Sequence, residues 1–183
     1  MSDLTITNAG ISVAKKTGGE VLSNNKKLSQ MNVDLISVTP STTAEVCSDG
    51  EIIFDNEKIE NLVGVKGGSC ILQSVTLLDD DDNGAAIDLI FFNASSSLGT
   101  EGSPITTNDA VTPAVPDAII GVVNISNYCD GVNWTVGHKE NIGLVLKAAS
   151  DSRDIYVAAI NRSGGDKSYT AAGLLLKLGV VQD

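Results

Sequence analysis

The chain predicts an all-β protein: an antiparallel β-sandwich of jelly-roll type over residues 33–183, preceded by an extended N-terminal arm and linker over residues 1–32. Three observations predict it. Apolar residues recur at every second position in several short runs. Glycine occurs 18 times and β-branched residues are frequent, which weakens helices and suits strands and turns. No long stretch keeps apolar residues at the i, i+3, i+4, i+7 spacing of a buried helix face. With 183 residues, 42% of them hydrophobic and 19% charged, one core can serve the whole body, and disorder along the full length is excluded.

Each element follows from its own pattern. Leu4 to Val13 is a weak strand candidate, and Lys15 to Gln30 is a polar, basic linker containing Gly18-Gly19 and Asn24-Asn25. Val33 to Val38 and Glu51 to Phe54 are strand candidates. Cys70 to Leu78 and Ala85 to Phe92 flank Asp79-Asp80-Asp81-Asp82-Asn83-Gly84, and the Asn-Gly step is the strongest short-range signal for a tight hairpin between them. Residues 94–118, with Ser95-Ser96-Ser97 and Pro104, Pro113 and Pro116, are too long for an ordinary connection and mark a contact surface or a surface excursion. Ile119 to Ile125 follows as a strand. Ile142, Leu144 and Leu146 alternate with other residues, as do Ile155, Val157 and Ala159, and Tyr169 to Gly173 is a weaker candidate. The last run places Leu174, Leu176, Leu178 and Val180 on one uniformly apolar face.

Charge and cysteine usage narrow the function classes. Net charge is −11, which opposes binding to nucleic acid, because phosphate neutralisation needs clustered Lys and Arg. Lys15, Lys16, Lys26 and Lys27 against Asp3 and Glu20 give the first 27 residues a balance of +2, so the remainder carries −13. A basic arm thus precedes an acidic body. No apolar run approaches the length of a membrane span, and the opening residues lack the basic start and apolar stretch of a secretory signal, which predicts a chain made and kept in a cytosol-like space with no membrane partner. Cys47, Cys70 and Cys129 are odd in number and widely spaced, so they read as buried free thiols rather than as a disulfide framework or metal site.

Catalytic chemistry finds little support. The single histidine, His138, sits in Val-Gly-His-Lys-Glu with no nucleophile elbow or HExxH pattern around it and reads as a surface or turn residue. Gly64, Gly67 and Gly68 lack the GK[ST] ending of a phosphate loop and read as a turn. The Asn-x-Ser/Thr sequons at Asn93, Asn124, Asn133 and Asn161 carry no information without a secretory route. Trp134 and the tyrosines and phenylalanines form no stacking stripe and read as core or interface residues. No enzyme is expected.

The one candidate cofactor is calcium. Asp79, Asp81, Asn83 and Gly84 satisfy the D-x-D-x-[DN]-G opening of an oxygen-rich calcium loop. The match breaks at Ile90, where such a loop places its bidentate glutamate, and a solvated turn is the competing explanation.

Several segments together resemble a family of small virion accessory proteins, head decoration or structural proteins, of tailed bacteriophages and prophages. The resemblance runs through Gly67-Gly68-Ser69, Leu72 to Asp79, Ala86 to Phe92, Ile120 to Val123, Ile155 to Ala158 and the ending Leu176 to Asp183, covering residues 50–183 in order. It implies a β-sandwich body on the capsid surface of a virion, bound to the major capsid protein as a decoration or cement protein. A homo-oligomer, with a trimer compatible with flat sandwich sides, and a capsid-seeking arm built on Lys15, Lys16, Lys26 and Lys27 complete that expectation. The alternative is a receptor- or glycan-binding module of a head or tail fibre.

Overall fold

Strand Ser69–Asp79 is the longest among the described residues, and its eleven residues organise the sheet around it. The computed structural model describes residues 6–8, 11–13, 22–23, 26–27, 32–105 and 117–182. In chain order the strands are β1 (Ile6–Asn8), β2 (Ile11–Val13), β3 (Leu22–Ser23), β4 (Lys26–Lys27), β5 (Asn32–Val38), β6 (Val46–Cys47), β7 (Ile52–Ile59) and β8 (Ser69–Asp79). They continue as β9 (Ile87–Phe92), β10 (Ile119–Ile125), β11 (Tyr128–Asp130), β12 (Thr135–Lys139), β13 (Leu144–Lys147), β14 (Ile155–Asn161), β15 (Lys167–Ser168) and β16 (Leu174–Gln182).

The chain divides into two units, Met1–Asn32 and Val33–Asp183. Within the first, β1 pairs antiparallel with β2 and β3 with β4. Lys15 and Lys16 lie outside the described residues; Lys26 and Lys27 form β4.

In the second unit β9 pairs antiparallel with β10 and β14, β14 with β7, β11 with β12, β8 with β12, β13 and β16, and β15 with β6. One sheet runs β10-β9-β14-β7; the other runs β11-β12-β8-β16-β5, with β13 also on β8. β8 can serve three partners because it is long. β16 covers one side from Cys70 to Asp79, while β12 takes Val75–Asp79 and β13 takes Ser69–Leu72 on the other. From β7 to β9 the chain changes sheet at every strand, and it does so again from β13 through β14 to β16, as a jelly-roll connectivity requires.

Alternation on either side of one bulge builds the core between the sheets. On β8, Cys70, Leu72, Val75 and Leu77 are buried, and on β16 Leu174, Leu176, Leu178 and Val180 are buried beside them. Phe54, Leu89, Phe91, Val157 and Ala159 join the same cluster from the opposite sheet. Register slips by one residue at Gly179/Val180, where Gly179 faces Ser74 and Val180 faces Leu72, so Gln73 is the extra residue that keeps both apolar rows pointing inward.

Two expectations are corrected. β8 and β9 do not form the hairpin predicted across Asn83-Gly84: they lie in different sheets, and the acidic segment is the corner that carries the chain from one to the other. Tyr169 to Gly173 is a turn leading into β16 rather than a strand, with the Gly173 N–H donating to the Thr170 carbonyl at 2.8 Å.

The described part of the long 94–118 segment is a strap. A second apolar cluster of Ile52, Ile90, Phe92, Ala158 and Ile160 lies apart from the inter-sheet core, and Leu98, Ala118 and Ile105 pack on it. A bulge in β7 pins that strap: Val157 pairs with Glu57 and Ala159 with Phe54, and Asn56 takes a left-handed φ of 52°. Asp55 accepts from Ser97 Oγ at 2.6 Å and from the Leu98 N–H at 3.1 Å, while Asn56 Oδ1 accepts the Ser96 N–H at 3.1 Å.

Leu176→Asp should abolish folding, because it places an unpaired charge among buried side chains; loss of the β-sheet circular dichroism signal is the check, and a cooperative melt near the wild-type temperature refutes the packing. Leu98→Ala should cost about 2–4 kcal/mol in denaturant unfolding if the strap is part of the folded body, whereas an unchanged midpoint would mark it as a loose excursion.

Candidate functional site

The polar corner at the end of β8 gathers charged and amide side chains into one hydrogen-bonded cluster, and it begins with Asp79. Alternation along β8 turns this carboxylate inward, where it is buried. A buried carboxylate requires donors, and the chain supplies them by folding back on itself. Oδ1 accepts the Asp81 N–H at 3.0 Å; Oδ2 accepts the N–H groups of Asn83 at 3.0 Å and Gly84 at 3.2 Å, with Thr135 Oγ1 at 3.4 Å. The reversal needs left-handed backbone at Asp82 and Gly84, with φ of 56° and 54°.

Asp81 and Asn83 point to a different element. Asp81 accepts from the Thr170 N–H at 2.8 Å and the Thr170 hydroxyl at 2.9 Å, and its carboxylate occupies the space a Cβ at Gly173 would need. Asn83 Nδ2 donates to the Ser168 carbonyl at 2.9 Å, and Lys167 Nζ donates to the Asn83 carbonyl at 3.1 Å. The three residues proposed for calcium are therefore neighbours that face separate protein partners, Asp79 its own turn and the other two the 167–173 segment. Ile90, at the position of the missing glutamate, is buried in the second apolar cluster. Among the described residues no three His, Cys, Asp or Glu side chains are grouped to hold a metal ion.

Burial dominates the electrostatics of this corner. It pushes the Asp79 carboxyl above its ordinary 3.8, outweighing the N–H groups of Asp81, Gly84 and Asn83 that favour the charged form. Tyr128 and Tyr169 are pushed up strongly, first by burial and then by the nearby Asp79 charge. Neither phenol hydroxyl has a hydrogen-bond partner among the described residues.

The remaining candidates scatter. His138 is exposed on β12, its Nδ1 3.0 Å from Thr76 Oγ1. Gly67 turns the chain between β7 and β8 at φ 66°, packed against the Ser150 backbone, with its N–H donating to the Ser152 carbonyl at 2.9 Å. Cys47 and Cys70 are buried as expected, but Cys129 is exposed, because β11 is a three-residue edge strand with one side open. Asn161 is buried and structural: Nδ2 donates to the carbonyls of Cys47 and Gly165 at 2.7 and 2.8 Å.

Apolar side chains reach solvent at several places, Val46, Val65, Val122 and Val145 among them, and two of these places hold exposed apolar residues close together in the chain. On edge strand β5, Val33 is 72% and Leu35 62% exposed, while Ile36 and Val38 turn toward the core. At the β11–β12 hairpin tip, Val132 is 86% and Trp134 42% exposed, and the indole lies against Gly131, where a Cβ would collide with it. Of the two readings for Trp134, core or interface, the core one does not hold. Among the described residues no helix is long and apolar enough to cross a membrane.

No family model matches the chain, and no curated protein matches it. Among solved structures it is similar to one described as the structure of infectious bursal disease virus Gx strain, at 8% identity and a TM-score of 0.17. The match covers 94% of this chain and 42% of that one, so this chain spans less than half its length, and likeness at that level carries no argument.

Asp79→Ala should destabilise the body by about 1–3 kcal/mol or more, since it strands buried N–H donors; equilibrium denaturation measures it. The pH dependence has a definite sign. A carboxyl whose folded pKa is raised stabilises fully below the unfolded value near 3.8 and loses that contribution as pH rises through the folded value. Wild-type stability relative to Asp79→Asn should therefore fall as pH rises from 3.8 to the folded value and level off above it, and a difference independent of pH would contradict the assignment. Because each candidate calcium ligand already has protein donors or acceptors, the melting temperature should be indifferent to millimolar calcium and chelator; a calcium-dependent rise lost in Asp81→Asn would restore the cation site.

Proposed function

We propose that this chain is a non-catalytic structural protein of a tailed-phage virion, a capsid decoration or cement protein that binds the major capsid lattice as a homo-oligomer. The observation that carries this reading is the ordered resemblance from Gly67-Gly68-Ser69 to the terminal Leu176 to Asp183. Shell stabilisation needs many modest contacts repeated by symmetry rather than one reactive centre. The exposed apolar side chains of β5 and of the β11–β12 tip supply contact chemistry for a body that otherwise carries a charge of −13 beyond its first 27 residues. Lys15, Lys16, Lys26 and Lys27 supply the opposite charge for an acidic capsid surface.

The test is retention on purified capsids at increasing salt, for the full chain, for a chain lacking residues 1–30 and for Val33→Asp/Leu35→Asp, each first shown to fold. The full chain should be retained, the truncated chain should dissociate at lower salt, and the β5 variant should bind more weakly at every salt. Undiminished binding by the truncated chain removes the arm from the mechanism. Failure of the intact protein to bind capsids moves the reading to a receptor- or glycan-binding module, for which the exposed Trp134 is the available aromatic surface.

A further inference from the structure

Asn83-Gly84 is the only Asn-Gly step in the chain. It is also the step most prone to spontaneous deamidation, because glycine offers no side chain to hinder attack by its own backbone nitrogen. In that reaction the Gly84 nitrogen attacks Asn83 Cγ, a C–N bond forms, the side-chain amide leaves as ammonia, and a five-membered succinimide results. Water then opens the ring at either carbonyl, giving aspartate or isoaspartate. No oxidant or further reagent is needed.

The attack has two geometric requirements, and the corner opposes both. The Asn83 side chain must swing toward the following peptide, yet Nδ2 is held by the Ser168 carbonyl at 2.9 Å. The Asn83–Gly84 peptide must rotate to aim its nitrogen at Cγ, yet the Gly84 N–H is held by Asp79 Oδ2 at 3.2 Å. Its carbonyl is held as well, by Lys167 Nζ at 3.1 Å, and the Asn83 N–H by Asp79 Oδ2 at 3.0 Å. Apart from the side-chain amide oxygen, which stays on Cγ as a succinimide carbonyl, the polar groups of Asn83 are thus tied, its N–H to Asp79 at the end of β8 and its carbonyl and Nδ2 to β15.

We infer that Asn83 is a conformation-gated modification site, unreactive while the Asp79 corner is closed and converted to aspartate or isoaspartate when it opens. Conversion cannot be reversed by reclosing. The product carboxylate would face the Ser168 carbonyl in place of a donor, beside Asp81 and the buried Asp79, and isoaspartate would also lengthen the backbone inside the turn. Each opening that ends in reaction therefore leaves the two-sheet corner weaker than before, so the site records how often the body has opened.

The experiment incubates the full chain at mildly alkaline pH, folded and in urea, and follows Asn83 by peptide mass spectrometry, with isoaspartate separated chromatographically from aspartate. Asn83 in the folded protein should convert at least about tenfold more slowly than in the unfolded one, in proportion to the rarity of local opening. Lys167→Met, which frees the Asn83 carbonyl without burying a charge, should speed conversion while leaving the circular dichroism spectrum unchanged. Asp79→Asn, where it folds, should speed it further. Equal folded and unfolded rates would overturn the proposal, as would a folded rate faster than the unfolded one, which would make Asp79 a base rather than a restraint. A folded wild-type rate that is slow, with Lys167→Met equally slow, would overturn the role of the 167–173 contact in the gate.

Discussion

The constraint on which the body depends is that β8 must satisfy three neighbours and end in a buried charge. Its inward residues meet β16 along its whole length, and its other edge is shared between β12 and β13. A strand used this fully cannot also turn directly into a hairpin partner. It has to hand the chain to the other sheet, and the Asp79 carboxylate makes that possible by gathering the N–H groups of Asp81, Asn83 and Gly84. Without an acceptor at that point, three N–H groups in a tight corner would be left unpaired, which is more costly than the burial of one carboxylate with four donors.

The same corner explains which parts of the fold were legible in the sequence. Leu174, Leu176, Leu178 and Val180 could be placed correctly because alternation is a local property that burial on one face enforces. The hairpin across Asn83-Gly84 was misread because the turn chemistry is equally local and says only that the chain reverses. Whether it reverses within a sheet or between sheets is decided by which strands compete for β8, and those lie about fifty to a hundred residues downstream in β12, β13 and β16. β11 and β12 escaped notice for a related reason. Tyr128-Cys129-Asp130 and Thr135-Val136-Gly137-His138-Lys139 are short and polar on one side, and they become strands by adding to an existing edge.

At the candidate site, residue identity was legible and residue role was not. Aspartates and an asparagine at alternating positions could converge on a cation or could serve separate partners, and spacing is the same in both cases. The deciding fact is the position of Thr170 and Ser168, which draw Asp81 and Asn83 toward the turn before β16 and away from Asp79. The strap behaves similarly. Its length marked it as unusual, but its attachment depends on a bulge at Asn56 that swings Asp55 toward Ser97 and Leu98.

The exposed apolar positions differ from the strap in being left open, and β5 shows how an open edge can be kept from indiscriminate pairing. Edge strands offer free N–H and C=O groups to any other strand, and long apolar edges are aggregation hazards. β5 has seven residues with Val33 and Leu35 outward and neither proline nor lysine to blunt it. Asp34 sets a charge between them, its Oδ1 accepting the Leu35 N–H at 2.8 Å. A charge on an edge strand discourages addition of another strand, while the Val33 and Leu35 side chains remain exposed. An edge arranged in this way discriminates by side-chain complementarity rather than by backbone pairing.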